Sequence, residues 1–251
     1  MSRVILIDPC KDERWDQFVE NHPFGWVCHL SGWKKVLENS FPHMKGYYLA
    51  LIDENGRIQA GPPIYEVRSL LLGNRLVSIP FATISDPLVS TSIELNLLLE
   101  SVKNLSDALC IPNVEIRTTN SHEMIRHPDF SGKYYFKIHE IDLTRDIDQL
   151  WKSLHRKAIR QEINSANKNN LKIKIGETED HLKDFFKIYI KTRKRLGLPP
   201  HPYQFIKSLW QNFSLSKRLT LYLAKYQTQT ISAHTFLNLM VEFQMNSKDG
   251  I

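Results

Sequence analysis

Apolar and polar positions alternate in blocks that predict helices and short strands along the whole chain. Residues 4–7 form a short apolar run closed by Asp8-Pro9, which predicts a strand. Residues 11–20 place Trp15, Phe18 and Val19 on one helical face, and His22-Pro23 ends that helix. Ser31 is a candidate cap for a helix over 32–40, with Trp33, Val36 and Leu37 inward. Residues 46–52 read as a strand, 53–56 as an Asn-Gly turn, and 57–65 as the return strand. Pro62-Pro63 calls for an edge position or a bulge in it.

A second hairpin follows over 68–78, around Gly73-Asn74, then a helix over 95–109 and a strand over 114–117. Residues 134–143 read as a strand. Asp146 or Asp148 can cap a single helix running to Asn169. The remaining elements are a strand over 171–175 and helices over 180–196 and 202–213. Strands over 219–226 and 230–240 surround a turn at 227–229, and a third strand starts over 241–245. Both halves run from helices into an antiparallel meander. This predicts an α/β (α+β) protein of two related units, 1–142 and 143–251, packed together because no low-complexity linker divides them.

Charge changes this picture in one place. The 251 residues carry 33 basic and 27 acidic side chains, a net charge of +6. From Lys152 to Lys174 there are seven Lys or Arg against one acid, Glu162. Such a concentrated excess points to an anionic partner. The three cysteines, Cys10, Cys28 and Cys110, form no paired motif, so a reducing compartment is expected. No signal peptide or membrane-spanning run is read. The expected location is the cytoplasm, with peripheral contact at the inner face of the membrane left open.

On a continuous helix Lys152, Arg156 and Arg160 would stack at i, i+4, i+8, with Lys157 beside them. The row is either a solvated basic face or a phosphate grip; guanidinium pairs bidentately with phosphate. On the next helix Leu182, Phe185, Phe186, Tyr189 and Leu196 form a core stripe. Lys191, Arg193, Lys194 and Arg195 gather at its last turn, where cations suit the helix dipole. Glu115 and Arg117 face one side of a strand, as a cleft pair or a structural one, and Arg117 is carried as a substrate-binding candidate. Trp26 and Trp33 anchor a core or a cleft wall. His22, His29 and His43 lack ligand spacing, so no metal site is expected. No nucleophile elbow, Walker loop or Rossmann glycine pattern is present.

Several segments together resemble the FemAB-like proteins, the peptidoglycan interpeptide-bridge aminoacyltransferases and their relatives. They are Phe24-Gly-Trp-Val-Cys-His-Leu-Ser-Gly-Trp33, Phe41-Pro-His43, Leu76-Val-Ser-Ile-Pro-Phe81, Leu150-Trp-Lys-Ser-Leu154 with Lys157-Ala-Ile-Arg160, and Tyr189-Ile-Lys-Thr-Arg-Lys-Arg-Leu-Gly197. The nearest branch resembles the FemAB-related proteins of exopolysaccharide and exosortase (PEP-CTERM) systems.

The resemblance implies tandem GNAT-like domains with mixed, largely antiparallel sheets flanked by helices. It implies acyl or aminoacyl transfer to an amino group of a cell-wall or exopolysaccharide precursor. No cofactor is bound; aminoacyl-tRNA or acyl-CoA is the co-substrate, and the acceptor is an anionic lipid-linked or nucleotide-linked precursor. It assigns Lys157, Arg160 and Arg195, with Arg156 beside them, to anion binding. His29, Trp33 and Phe81 would line the first domain's cleft. The catalytic residue and the oligomeric state stay unassigned.

The chain departs from the pattern twice. Ala82-Thr-Ile-Ser85 stands before Asp86 where relatives carry an aromatic and glycines, and the chain stops soon after Gln244-Met245, so an incomplete second domain is expected. The glycine loop of ordinary acyl-CoA enzymes is missing, which favours an aminoacyl-tRNA donor. Two other readings remain: a non-catalytic anion-binding remnant and an acetyl-CoA-dependent N-acetyltransferase.

Overall fold

The computed structural model describes residues 2–71, 73–82, 85–119, 121, 129–132, 137 and 139–239. The expected strand over 241–245, and much of that over 134–143, lie outside the described residues. The chain forms two compact units. One is Met1–Gly132 with His201–Leu219 and Leu237–Ile251; the other is Lys133–Pro200 with Thr220–Phe236. The chain first crosses between units ten residues before the expected 142/143 division, and 201–219 returns to the first unit.

The first unit is built on a mixed sheet. Its strands are β1 (Arg3–Ile7), β2 (Met44–Ile52), β3 (Ile58–Ala60), β4 (Pro63–Val67), β5 (Arg75–Ser78) and β6 (Val114–Glu115), in the order β1-β2-β4-β5-β6 with β3 also on β2. All pairs are antiparallel except β5–β6. The crossover between those two carries helix α3 (Ser92–Leu109). A parallel pair requires such a long return, whereas the antiparallel strands turn tightly.

Both sheet faces are covered, which explains why β2 is buried almost throughout. Leu49, Leu51, Ile64 and Leu76 join Leu95, Leu98, Leu99 and Val102 of α3 in one core. Tyr48 and Tyr65 point the other way. Their hydroxyls share a 2.7 Å hydrogen bond, and Tyr48 meets Trp15 edge-on at 5.1 Å. Trp15 and Val19 are the buried face of α1 (Arg14–Asn21).

The expected return strand is broken in two. Pro62 has no N–H for a ladder, so the chain leaves the sheet after β3 and re-enters with Pro63 as the first residue of β4. The register on β2 is the same on both sides of this break, the one shift lying nearer the turn, between Ile58 and Ala60, and β4 lies inside the sheet, not at its edge. Gly61 sits in the gap, bridging Leu88 in both directions. A Cβ there would stand 2.5 Å from the Leu49 carbonyl oxygen and 2.8 Å from the Trp15 ring, so the approach requires glycine.

Helix α2 (Ser31–Ser40) is capped differently from the expectation. Ser31 is its first residue and makes no cap of its own. Its N–H donates to Asp16 Oδ1 at 2.7 Å and its hydroxyl to Oδ2 at 2.6 Å, so a carboxylate on α1 serves the helix start. Helix α7 (Tyr203–Phe213) completes this unit. Phe213 lies against Gly32 and Trp33, and Phe205 against Phe41 at 5.4 Å.

Helix α3 begins three residues before the expected start, on a capping box. Thr91 Oγ1 accepts from Glu94 N–H, and Glu94 Oε2 accepts from the N–H groups of Ser90 and Thr91. Thr91→Ala is expected to cost about 1 kcal/mol. A lower denaturant midpoint at unchanged m value would report it.

The second unit holds α4 (Ile147–Ser153), α5 (Gln161–Lys168), β7 (Lys172–Gly176), α6 (Glu179–Arg195), β8 (Leu219–Tyr226) and β9 (Gln229–Leu237). Its sheet order is β7-β8-β9, with β7 and β8 antiparallel. Leu182 and Phe185 of α6 are buried, as are Leu221 and Leu223 of β8, while Leu196 is 59% exposed because it lies past the last helical turn. Gly197, at φ 67°, ends α6 in the left-handed region.

The single helix expected up to Asn169 is interrupted. Asp146 caps α4, but Leu154 is extended (ψ 139°) and a π-helical turn over Arg156–Arg160 precedes α5. Among the described residues no helix is long and apolar enough to cross a membrane.

Candidate functional site

Four of the sequence-predicted residues, His29, Trp33, Phe81 and Arg117, belong to the first unit, and all but Trp33 lie in or bond to the segment after β5. Asp86 is its centre. The carboxylate is fully buried, and its Oδ1 accepts from Thr119 N–H (2.8 Å), Ser121 N–H (3.0 Å) and Ser121 Oγ (3.0 Å). Its backbone carbonyl accepts from His29 Nε2 at 2.9 Å.

His29 ends a short 3₁₀ turn, Val27–His29. Its Nδ1 accepts from Trp26 N–H at 3.1 Å, so the proton belongs on Nε2. Burial lowers its pKa to about 4, outweighing the two backbone hydrogen bonds that act the other way. Both ring nitrogens are therefore committed, and His29 is a neutral strut inside the wall. Trp33 is likewise buried, packed on Phe213.

Phe81 is 42% exposed and takes a positive φ of 62°, which is uncommon for a bulky residue. It is held by Phe41 (5.0 Å), His201 (4.6 Å) and Phe205 (5.5 Å). Arg117 pairs with Glu115 at 2.8 Å, and its N–H donates to Ser78 Oγ. That hydroxyl also bonds Ser85 Oγ. Phe81 thus carries backbone strain, while Ser78, Ser85 and the Arg117 backbone share a separate set of hydrogen bonds.

Arg156, Lys157, Arg160 and Arg195 lie in the second unit. His155 builds the turn that carries the first three. Its Nδ1 accepts from Ala158 N–H at 3.0 Å and its carbonyl from Ile159 and Arg160 N–H, the latter an i+5 bond. Lys152 is left on α4, so the three-residue stack does not form. Arg156 and Lys157 are exposed. Arg160 is half-buried, and its Nε is enclosed without a hydrogen-bond partner. Among the described residues none of Arg156, Lys157, Arg160 and Arg195 pairs with an acid. Arg193, by contrast, spends Nε and Nη2 on the Pro199 carbonyl.

Cations without a counter-charge among the described residues, one of them partly desolvated, are equipped to take an anion. A hollow of about 420 Å³ in the same unit is lined by Lys168, Asn169, Asn170, Lys172, Tyr226 and Gln227. Among the described residues no cluster of His, Cys, Asp and Glu could hold a metal ion.

Asp86, Ser121 and His201 were not singled out by the sequence patterns, because loop residues have no period to betray burial. Asp86 stood out only as the residue that closes an altered loop.

No protein-family model matches the chain, and no curated protein matches its sequence closely enough to show a relative. Among solved structures the chain is similar to one described as "Crystal structure of FemX", with a TM-score of 0.68 and 17% sequence identity. The similarity covers 89% of this chain and 57% of that one, so the chain spans little more than half of FemX's length. The fold is therefore of the FemX kind, an α/β arrangement of mixed, largely antiparallel sheets flanked by helices.

Proposed function

We propose that the protein transfers an acyl or aminoacyl group from a carrier to an amino group of an anionic cell-wall or exopolysaccharide precursor. The observation that carries this is the cationic turn Arg156–Arg160, without an acidic partner among the described residues and partly desolvated, on a fold like that of FemX. Aminoacyl-tRNA is the favoured donor and acyl-CoA the alternative. The acceptor is lipid-linked or nucleotide-linked, and both units are of the GNAT-like kind.

In the reaction the acceptor amine adds to the donor's carbonyl carbon, the tetrahedral oxyanion collapses, and the ester or thioester bond to the carrier breaks. An amide is formed and the carrier leaves with a proton taken from the amine. Arg156, Lys157 and Arg160 would hold phosphates of donor or acceptor. The contribution is mainly positioning.

Arg156→Ala with Arg160→Ala is expected to weaken tRNA binding about fivefold at moderate salt, and to flatten the salt dependence by about one unit of slope per lost phosphate contact. Filter binding across a salt series reads both. Label transfer from aminoacyl-tRNA or acyl-CoA to an amine then tests the reaction, and competition by free CoA separates the two donors. Binding without transfer from either donor would leave the non-catalytic reading, and unchanged affinity in the double variant would remove the anion site.

A further inference from the structure

The connection between β4 and β5 carries an apolar tip that the transfer reading does not use. The ladder of these strands ends at the pair Val67↔Arg75, and residues 68–74 close it. The sequence there is Arg68-Ser-Leu-Leu-Leu-Gly-Asn-Arg75. Leu70 and Leu71 are 107% and 95% exposed, as open as side chains in an extended peptide. Hairpin connections are ordinarily polar, built from Gly, Asn, Asp and Ser.

Basic residues flank the tip. Arg75 is exposed, and Arg68 is on the opposite side of the loop. Lys45 joins them, since the register sets it opposite Glu66. Glu66, the acid among them in that register, is buried and already accepts from Arg68 Nε at 2.7 Å and the Tyr47 hydroxyl at 3.2 Å.

The geometry points to a membrane-contact site: Leu70 and Leu71 enter an anionic lipid surface while Arg68, Arg75 and Lys45 meet its phosphates. Two fully exposed leucines beside cationic side chains match an apolar layer under an anionic surface. Two leucines per chain offer a few hundred Å² at most, well under the ~1,200 Å² that a stable interface between copies buries. A lipid surface accepts such a tip because it conforms to it. Insertion is shallow, at the boundary of headgroups and acyl chains. The loop's own N–H and C=O groups would be unsatisfied deeper in hydrocarbon. This site needs neither donor nor acceptor and stands apart from the transfer reading.

Vesicle sedimentation of the 251-residue chain tests it, using phosphatidylglycerol–phosphatidylcholine vesicles against phosphatidylcholine alone. Binding to the anionic vesicles is expected, with weaker binding to the neutral ones. Leu70→Ser with Leu71→Ser should lower the partition coefficient at least tenfold on both compositions. Arg75→Gln should lower it about fivefold on the anionic vesicles alone. Because these side chains are exposed, circular dichroism and the thermal midpoint should stay unchanged in both variants. Arg156→Ala/Arg160→Ala should keep the leucine-dependent part of binding, which separates this site from the basic turn. Equal partitioning of the leucine variant would overturn the proposal, as would absence of binding to anionic vesicles. Leucine-dependent self-association in vesicle-free sedimentation would also overturn it, in favour of a second copy.

Discussion

Asp86→Ala is expected to destabilise the first unit by about 3–5 kcal/mol, since donors that lose a buried acceptor cost about 1–3 kcal/mol each. Three donors converge on Asp86 Oδ1, two of them backbone N–H groups that cannot turn away. Alanine takes this shared acceptor from Thr119 and from the buried Ser121. Asp86→Asn keeps an acceptor oxygen at the same place and should recover more than half of the loss. Denaturant unfolding of the three proteins measures it. An alanine variant within 1 kcal/mol of the parent would mean that the 119–121 segment finds other partners.

The second large effect is a loss of stability in acid, through His29. Its folded pKa of about 4 lies below the ordinary histidine value of 6.5. Above pH 6.5 the ring is neutral in both states and contributes nothing to the pH dependence. As pH falls, the unfolded chain takes the proton first, so the folded state loses ground between about pH 6.5 and 4 and levels off below that. The full loss from this group is about 3 kcal/mol. His29→Gln can still donate to the Asp86 carbonyl and accept from Trp26, but it does not titrate. Its stability should decline less over the same window, with a residual slope from His22, whose pKa burial also lowers. Parallel pH profiles for parent and variant would assign the acid loss to other groups.

The parts of the fold that were legible in the sequence were those with a period. The apolar run of β2, the Asn-Gly turn after it, and the Leu182/Phe185 stripe of α6 appear where their spacing placed them. What escaped was set by partners distant in sequence. Ser31 looks like a cap from its type, yet Asp16 does the capping because α1 brings a carboxylate to that helix start. The break at Leu154–His155 has neither glycine nor proline to announce it. It arises where the His155 side chain offers Ala158 N–H a competing acceptor. The candidate site divides in the same way. The basic run was visible as composition, but which of its members keep a free guanidinium depends on that break. His29 and Trp33 were expected to line the first domain's cleft, and their burial could not be read from their neighbours in sequence.

The return of residues 201–219 to the first unit has a consequence for synthesis. The ribosome delivers the chain from its N-terminus, and domains ordinarily begin to fold as they emerge. Here the sheet and α3 are out early, but the side of α2 that carries Trp33, together with Phe41 and Phe81, waits for α7. Until Phe205 and Phe213 arrive, a nascent chain that already has most of its first core shows an aromatic surface to chaperones. The order of translation makes the second unit's helices the segment that must be bridged before the first unit can close.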